Sequence, residues 1–417
     1  MSDKPLRILM PSYRSHPFTG GQGIYMRLVT KAMVELGHTV EVISGQPYPI
    51  LDEGVKLTKL PSLDLYSYDS PLKAFKFKLL KEPIDLYEWL SHLSGGFSEP
   101  YTFGERMSVW GKKNYNRFDV VHDNQTLAYG LIKLRDMGVP VVGTIHHPIT
   151  MDKRIDIKHA ETLSLKLLKW RWYSFLRMQI KVARKLDPII VVSENTRKDV
   201  VKDFKIDPKK TRKVLHGIDH KTFEPIPSIK RKKNQLITTA SADVPLKGLI
   251  YLIRAYSDLL NDFPDLSLIV IGKLRDGPTS KELDKKGIKD KVKFISDLTS
   301  RQIAELYAES TIAVSPSVYE GFGFPAGEAM SCGIPLISTN GGSLPEVVGE
   351  SGIIVPHSNP NELQKAIKEL LLSPEKRREL GEKGRNRVLE KFTWKRAAKE
   401  LVDVYREAIS NADNRSR

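Results

Sequence analysis

The sequence predicts an α/β protein built of two doubly wound, Rossmann-like domains facing across a cleft. Three observations predict it. The chain has 417 residues, too many for one typical core and suited to two domains of about 200 residues each. Its apolar runs are short, continuous and β-branched, as strands buried on both faces of a parallel sheet should be. Those runs alternate with helix-length segments, and the alternation occurs twice. Hydrophobic residues make up 40% and aromatics 8%, an ordinary globular composition that excludes wholesale disorder.

In the first half the predicted strands are Arg7–Met10, Thr39–Ile43, Asp119–Val121, Val141–Ile145 and Ile189–Val192, with a shorter one at Lys213–Leu215. Helical stretches such as Gly23–Leu36 and Glu161–Leu186 separate them. Residues 46–118 fit the alternation poorly. Prolines at 47, 49, 61, 71, 83 and 100 interrupt them, so they read as a long insertion, a frequent carrier of specificity. Phe223–Gln235 holds two prolines and the basic run Lys230–Lys233, which reads as an exposed linker. Beyond it, Leu236–Thr239, Leu268–Ile271, Val292–Ile295, Ile312–Ser315, Leu336–Thr339 and Ile353–Val355 read as strands. Leu249–Leu260, Ser300–Ala308 and Asn361–Leu371 are helical stretches between them. The predicted domains are residues 1–222 and 235–393. Residues 394–417 hold a last helix, about Trp394–Ser410, free to pack on either domain.

The net charge is +16, and its excess is uneven. Residues 1–221 carry 36 Lys and Arg against 24 Asp and Glu; the remainder carries 30 against 26. An anionic partner for the first half follows: nucleic acid, lipid headgroups or a phosphorylated substrate. A basic surface kept for solubility is the alternative. A single Cys excludes a disulfide framework and a Cys-based zinc site, and points to a reducing compartment. No apolar run approaches the roughly 18 residues of a membrane span. The opening MSDKPLRILM has no charged-then-apolar leader, so the expected location is the cytoplasm.

Four motifs offer chemistry. Thr19-Gly20-Gly21-Gln22-Gly23 lies between the first strand and first helix, where glycines let backbone amides approach an anion; a plain turn is the alternative. The stretch from Glu320 to Glu328 follows the strand Ile312–Ser315. Pro325 suits an early helical position, so Glu320 falls in the preceding loop and Glu328 a turn inside the helix. Gly321 and Gly323 leave the loop's amides accessible. Two carboxylates flanking exposed amides suit a sugar nucleotide, one accepting ribose hydroxyls and the other sugar hydroxyls; acidic residues serving a helix dipole are the alternative. Lys247-Gly248 sits between a strand and a helix, where the lysine can meet a diphosphate as a point charge. His146-His147 ends another strand and can bond a substrate hydroxyl or orient a reacting group. Metal binding there is a poor reading, because adjacent side chains diverge and no acidic cluster is near in sequence. Two further features read as structural: Ser343-Leu344-Pro345-Glu346 as a capping box, and Cys332 as buried and inert.

At the glutamate pair the chain resembles a known family. Glu320-Gly-Phe-Gly-Phe-Pro-Ala-Gly-Glu328-Ala-Met-Ser-Cys-Gly-Ile-Pro is similar to the E-x7-E signature of retaining glycosyltransferases of family 4, which have the GT-B fold. Gly20-Gly21, Phe118-Asp119-Val120-Val121-His122, Val191-Val192-Ser193, His216-Gly217-Ile218-Asp219 and Gly341-Gly342 match too, so the likeness covers nearly the whole chain. The resemblance implies that the second domain binds a nucleotide-diphosphate sugar, UDP- or GDP-linked, and the first binds the acceptor. It implies that Glu328 holds the ribose and that Glu320 faces the donor sugar. The amides of Gly321, Phe322, Gly323 and Phe324 would meet the sugar's hydroxyls, Lys247 the diphosphate and His146 the reacting sugar. It implies no metal and no cofactor beyond that donor. Transfer by front-face attack would rest on positioning and leaving-group stabilisation. In one respect the chain departs from the pattern: where the family commonly has a second diphosphate cation, Ser241 and Leu246 stand.

Two stretches, Leu72–Lys81 and Leu165–Leu186, are both basic and apolar and could lie on an anionic membrane surface, a peripheral association with the inner leaflet. For Leu165–Leu186 the alternation favours packing on the sheet instead. The expected acceptor is a glycan, a lipid or a small molecule, with a lipid-linked or other anionic one suggested by the basic stretches. A sugar-nucleotide epimerase or hydrolase on the same fold is the alternative activity. A nucleic-acid-binding protein is more remote, since no recognition module is present.

Overall fold

Seven parallel strands form the first sheet: β1 Arg7–Ser12, β2 Thr39–Ser44, β3 Val55–Lys59, β4 Val120–Asn124, β5 Val141–Ile145, β6 Ile189–Val191 and β7 Thr211–Lys213. Their order is β3-β2-β1-β4-β5-β6-β7. Six more form the second sheet: β8 Gln235–Thr239, β9 Ser267–Ile271, β10 Val292–Ile295, β11 Ile312–Ser315, β12 Leu336–Thr339 and β13 Ile353–Val355, ordered β10-β9-β8-β11-β12-β13. This computed structural model describes residues 4–17, 21–240 and 244–416. Each sheet is doubly wound, with Rossmann-like order reversal at β1/β4 and at β8/β11. At such a switch point neighbouring connections leave in opposite directions and open a crevice beyond the strands' carboxyl ends. The residues after β1, β4, β8 and β11 are therefore the ones the topology presents to a ligand.

The sequence pattern explains the strands. Ile8, Leu9 and Met10 of β1 are all buried, as are Leu236 and Ile237 of β8 and the whole of β11. Burying each such side chain stabilises the fold by about 1.5–3 kcal/mol. Lys213–Leu215 is a correction: the strand is Thr211–Lys213, pairing Thr211 with Ile189. Edge pairing of backbone, not apolar content, sets its position. β3 is a strand the sequence hides. Val55-Lys-Leu-Thr-Lys59 has no fully buried residue, yet it pairs in register along β2.

The rest of the insertion is also ordered. Its helices Pro83–Leu93 and Glu99–Gly111 hold Pro83 and Pro100 at their first and second positions, so two of the prolines that break the alternation lie in first helical turns, where a missing N–H costs nothing. Arg106 of the second helix pairs with Asp85 and with the buried Glu88 of the first, at 2.5 and 2.6 Å. Glu161–Leu186 is a further correction. It is a helix Leu163–Trp172, a tight turn Tyr173–Phe175 and a helix Leu176–Ala183. Only the later part packs in the core; Leu163–Trp172 buries no residue.

Two compact units result. One comprises Met1–Val192, Thr196–Val214 and Ala397–Arg417; the other comprises Ser193–Asn195 and Leu215–Arg396. The last helix, Trp394–Ser416, thus starts in the second unit and joins the first from Ala397 onward. There the buried Tyr405 hydroxyl meets His122 Nδ1 at 2.5 Å, and Glu407 pairs with Arg212. No helix among the described residues is long and apolar enough to cross a membrane.

Candidate functional site

The crevice of the second unit is built by glycines. Lys247 closes a short turn after β8, and Gly248 follows with φ +63°. A Cβ on Gly248 would lie 2.1 Å from the Pro316 carbonyl oxygen, so only glycine lets the turn rest on the loop after β11. That loop is tied down by Val318 N–H, which donates to the Leu246 carbonyl at 2.7 Å. Gly342 does the same from the other side: φ is +64° and a Cβ would lie 2.2 Å from Glu320 O.

Between them sits Glu320. Its Oε1 accepts from Lys247 Nζ at 2.6 Å and from Ser317 Oγ at 2.8 Å. The glutamate side chain is 13% exposed and the lysine 32%. The two residues singled out from separate motifs are therefore one ion pair at the switch point. Gly321 and Phe322 are buried, and Gly323 takes φ +96° as the cap of the helix Phe324–Ser331. The Phe322 and Phe324 side chains pack with His216 at ring distances of 5.1 and 5.4 Å. Their role in the described structure is to anchor the loop through an aromatic cluster.

Glu328 is differently placed. It lies a turn inside that helix, partly buried, and no hydrogen bond to its side-chain carboxyl occurs among the described residues. Burial, with the nearby Asp219 carboxylate second, pushes its carboxyl up to about 7. Asp219 itself accepts from Thr222 Oγ1 at 2.6 Å. A carboxylate without donors is one that a ligand's hydroxyls can satisfy.

Sequence reasoning misread one residue here. Ser343 makes no capping hydrogen bond to the helix Leu344–Val348. Its hydroxyl instead lies 3.0 Å from Glu320 O and 2.8 Å from Phe322 O, and its N–H donates to Glu320 O at 2.9 Å. Glu346 accepts from Glu194 N–H at 2.6 Å. The capping box is overturned because Ser343 has a helical backbone (φ −83°, ψ −5°), so the Glu346 N–H donates to the Ser343 carbonyl at 3.0 Å rather than to its hydroxyl. Ser317 and Ser343 are the site residues that reasoning missed; only their closeness to glycine pairs hinted at them. Cys332 is buried, and burial raises its thiol well above the usual range.

In the first unit His146 follows β5. Its Nε2 lies 2.6 Å from Asn124 Oδ1, and Asn124 Nδ2 donates to Ser12 Oγ at 3.2 Å. Since that amide oxygen only accepts, Nε2 carries the proton. Burial pushes the imidazole down to about 3, which keeps it neutral. The backbone is clamped as well. Gln125 Oε1 accepts from the His146 and His147 N–H groups at 2.6 and 3.2 Å, and its Nε2 donates to His147 O at 2.6 Å. Gln125 holds φ +56°, a conformation a non-glycine residue keeps only when its surroundings fix it. The His147 ring pairs with Asp152. Against His146 packs Tyr25, ring centres 4.6 Å apart, from the helix Gln22–Glu35 whose cap is Gly21 with φ +74°. Gly20 and Ser241 lie outside the described residues. Leu246 presents its carbonyl to Val318. Among the described residues no three His, Cys, Asp or Glu side chains gather as metal ligands.

Known proteins share this architecture. Residues 19–222 match the family model "Glycosyltransferase Family 4", and residues 221–387 match "Glycosyl transferases group 1". The chain is 42% identical over 410 residues to an MMP alpha-(1->4)-mannosyltransferase of Mycolicibacterium hassiacum, covering 97% of this chain and 99% of that one. It is 26% identical over 436 residues to a D-inositol 3-phosphate glycosyltransferase of Streptomyces bingchenggensis, covering 97% and 90%. Among solved structures, a sucrose-phosphate synthase of Thermosynechococcus elongatus aligns with TM-score 0.74 and 21% identity over 97% of this chain and all of that one. Anabaena HepE in complex with UDP and glucose aligns with TM-score 0.71 and 16% identity, over 96% and 100%.

Proposed function

The chain belongs to glycosyltransferase family 4, and from that premise we propose that it is a retaining, metal-independent mannosyltransferase. It moves a mannosyl group from a nucleoside diphosphate mannose to a hydroxyl of a saccharide acceptor. The choice of mannose is supported by the 42% identical relative, an alpha-(1->4)-mannosyltransferase. An α-linked donor giving an α-linked product is transfer with retention.

The observation that carries the reading is the Lys247–Glu320 pair at the β8/β11 switch point, with Glu328 a turn further on. In this reading Glu328 accepts the ribose hydroxyls, and Glu320 and the Gly321–Phe324 backbone orient the mannosyl ring. Lys247 leaves Glu320 to meet the diphosphate. The C1–O bond to the diphosphate breaks while the acceptor oxygen bonds C1 on the same face. The acceptor's proton departs on the diphosphate oxygen. Lysine and backbone amides then stabilise the leaving group where other enzymes use a metal. The first unit holds the acceptor. Its neutral His146, with Nε2–H directed by Asn124, orients a hydroxyl without taking its proton.

The test is to incubate the purified chain with GDP-mannose, GDP-glucose, UDP-glucose and ADP-glucose, with and without an oligomannoside. Mannosyl transfer that requires the acceptor is expected. Diphosphate release without acceptor would identify a hydrolase, and a change of sugar configuration an epimerase.

A further inference from the structure

We propose that the first unit carries a docking surface for an anionic lipid bilayer, formed by Leu72–Leu93 together with the helical hairpin Thr150–His159 and Leu163–Trp172. Neither helix of the hairpin buries a single residue. Leu163, Leu167 and Trp170 are 74%, 61% and 50% exposed, and Phe77 and Leu80 are 82% and 58% exposed. Contacts tie both stretches to the segment 83–95 between them. Leu168 lies over the backbone of Gly95, where a Cβ would come within 2.4 Å of its Cδ1, just beyond the exposed Leu90 and Leu93. Phe75 links Phe77 to Trp89, at ring distances of 5.7 and 5.0 Å.

The local geometry sorts apolar from basic. Phe77–Lys81 is a 3-10 turn, in which residues three apart eclipse. Leu79 points inward and is buried. Phe77 and Leu80 then make one outward row, and Lys78 and Lys81 a second beside it. Lys76, Lys78, Lys81 and Lys166 are exposed and form no ion pair among the described residues; Glu82 and Glu161 are the acidic side chains nearest in sequence.

An apolar row alongside a lysine row fits a membrane interface, where hydrocarbon enters the acyl boundary and ammonium groups meet phosphate headgroups. A second copy would bring lysines against lysines. Nucleic acid would leave the leucines in water. The inference is independent of the transfer chemistry, since lipid binding is read without donor or acceptor.

The experiment is sedimentation of the full chain with phosphatidylcholine vesicles and with phosphatidylcholine–phosphatidylglycerol vesicles, at low and moderate salt. Binding to the anionic vesicles alone, weakened by salt, is expected. Lys76→Gln, Lys78→Gln and Lys81→Gln together should lower partitioning about a hundredfold, and Phe77→Ser with Leu167→Ser about tenfold. Transfer to a soluble acceptor and the melting temperature should not change in either variant. Equal binding to both vesicle types, no binding, or variants that bind like the parent would overturn it. So would a parent dimer that Phe77→Ser with Leu167→Ser dissociates, or lysine-dependent binding of RNA without binding of vesicles.

Discussion

The crevices beyond the two sheets are polar in different ways. At the carboxyl ends of β1, β4 and β5 stand Ser12, Asn124 and His146, all uncharged and linked by hydrogen bonds. Beyond β8 and β11 it is ionic, with Lys247 against Glu320 and a second carboxyl, Glu328, held near neutrality. One topology has thus set an uncharged relay at His146 and an ion pair at Lys247. An uncharged relay can direct a hydroxyl without binding its anion, and an ion pair can open to meet a diphosphate and its developing charge. The contrast comes from side chains at equivalent switch points, not from the fold.

Substitutions can break this contrast, starting with its charged side. If the carboxylate acts on the reacting ring as proposed, Glu320→Ala should lower kcat about a thousandfold while donor KM changes far less; a raised KM with kcat unchanged would make it a plain binding residue. Lys247→Ala should cost about a hundredfold in kcat. Lys247→Arg should recover part of that, a recovery that a purely structural lysine would not give.

A titration sharpens the same side. Glu328 has its carboxyl raised to about 7, so it gains its charge as pH rises through that value. Donor affinity should therefore climb with pH, by up to about tenfold per unit below 7, and level off above. Glu328→Gln should flatten the profile; a profile unchanged by that substitution would detach the residue from the ribose. On the neutral side the effects are smaller. Asn124→Ala removes the hydrogen bonds to His146 and to Ser12 and should cost about threefold to tenfold in kcat. Smallest is Ser343→Ala, about 1 kcal/mol in melting experiments. That loss should come from the Glu320 loop, so a reduced kcat should accompany it.

Legibility in the sequence followed locality. Continuous β-branched runs such as Val141–Ile145 name their strands, because burial on both faces demands them. Val55–Lys59 is half polar and gains its strand from pairing with β2, which no local pattern records. The E-x7-E spacing located both glutamates but not their opposite states. Glu320 is paired by a lysine 73 residues away, and Glu328 is isolated by burial against Asp219. Ser343 shows the limit most plainly. A Ser-x-x-Glu pattern encodes a cap only when the serine backbone is extended; here it is helical, the Glu346 N–H goes to the Ser343 carbonyl, and the hydroxyl is left to face the carbonyls of Glu320 and Phe322. Leu163–Trp172 erred the other way, since apolar content alone does not reveal whether a core is there to receive it.

The closing helix has a consequence for how the protein is made. Tyr405 completes the interior around His122, and Glu407 holds Arg212, yet both are translated after the entire second unit. The first half to leave the ribosome is then the last to be finished, and a fragment ending near residue 215 lacks its own keystone. Separate production of that half requires appending residues 397–416 to it.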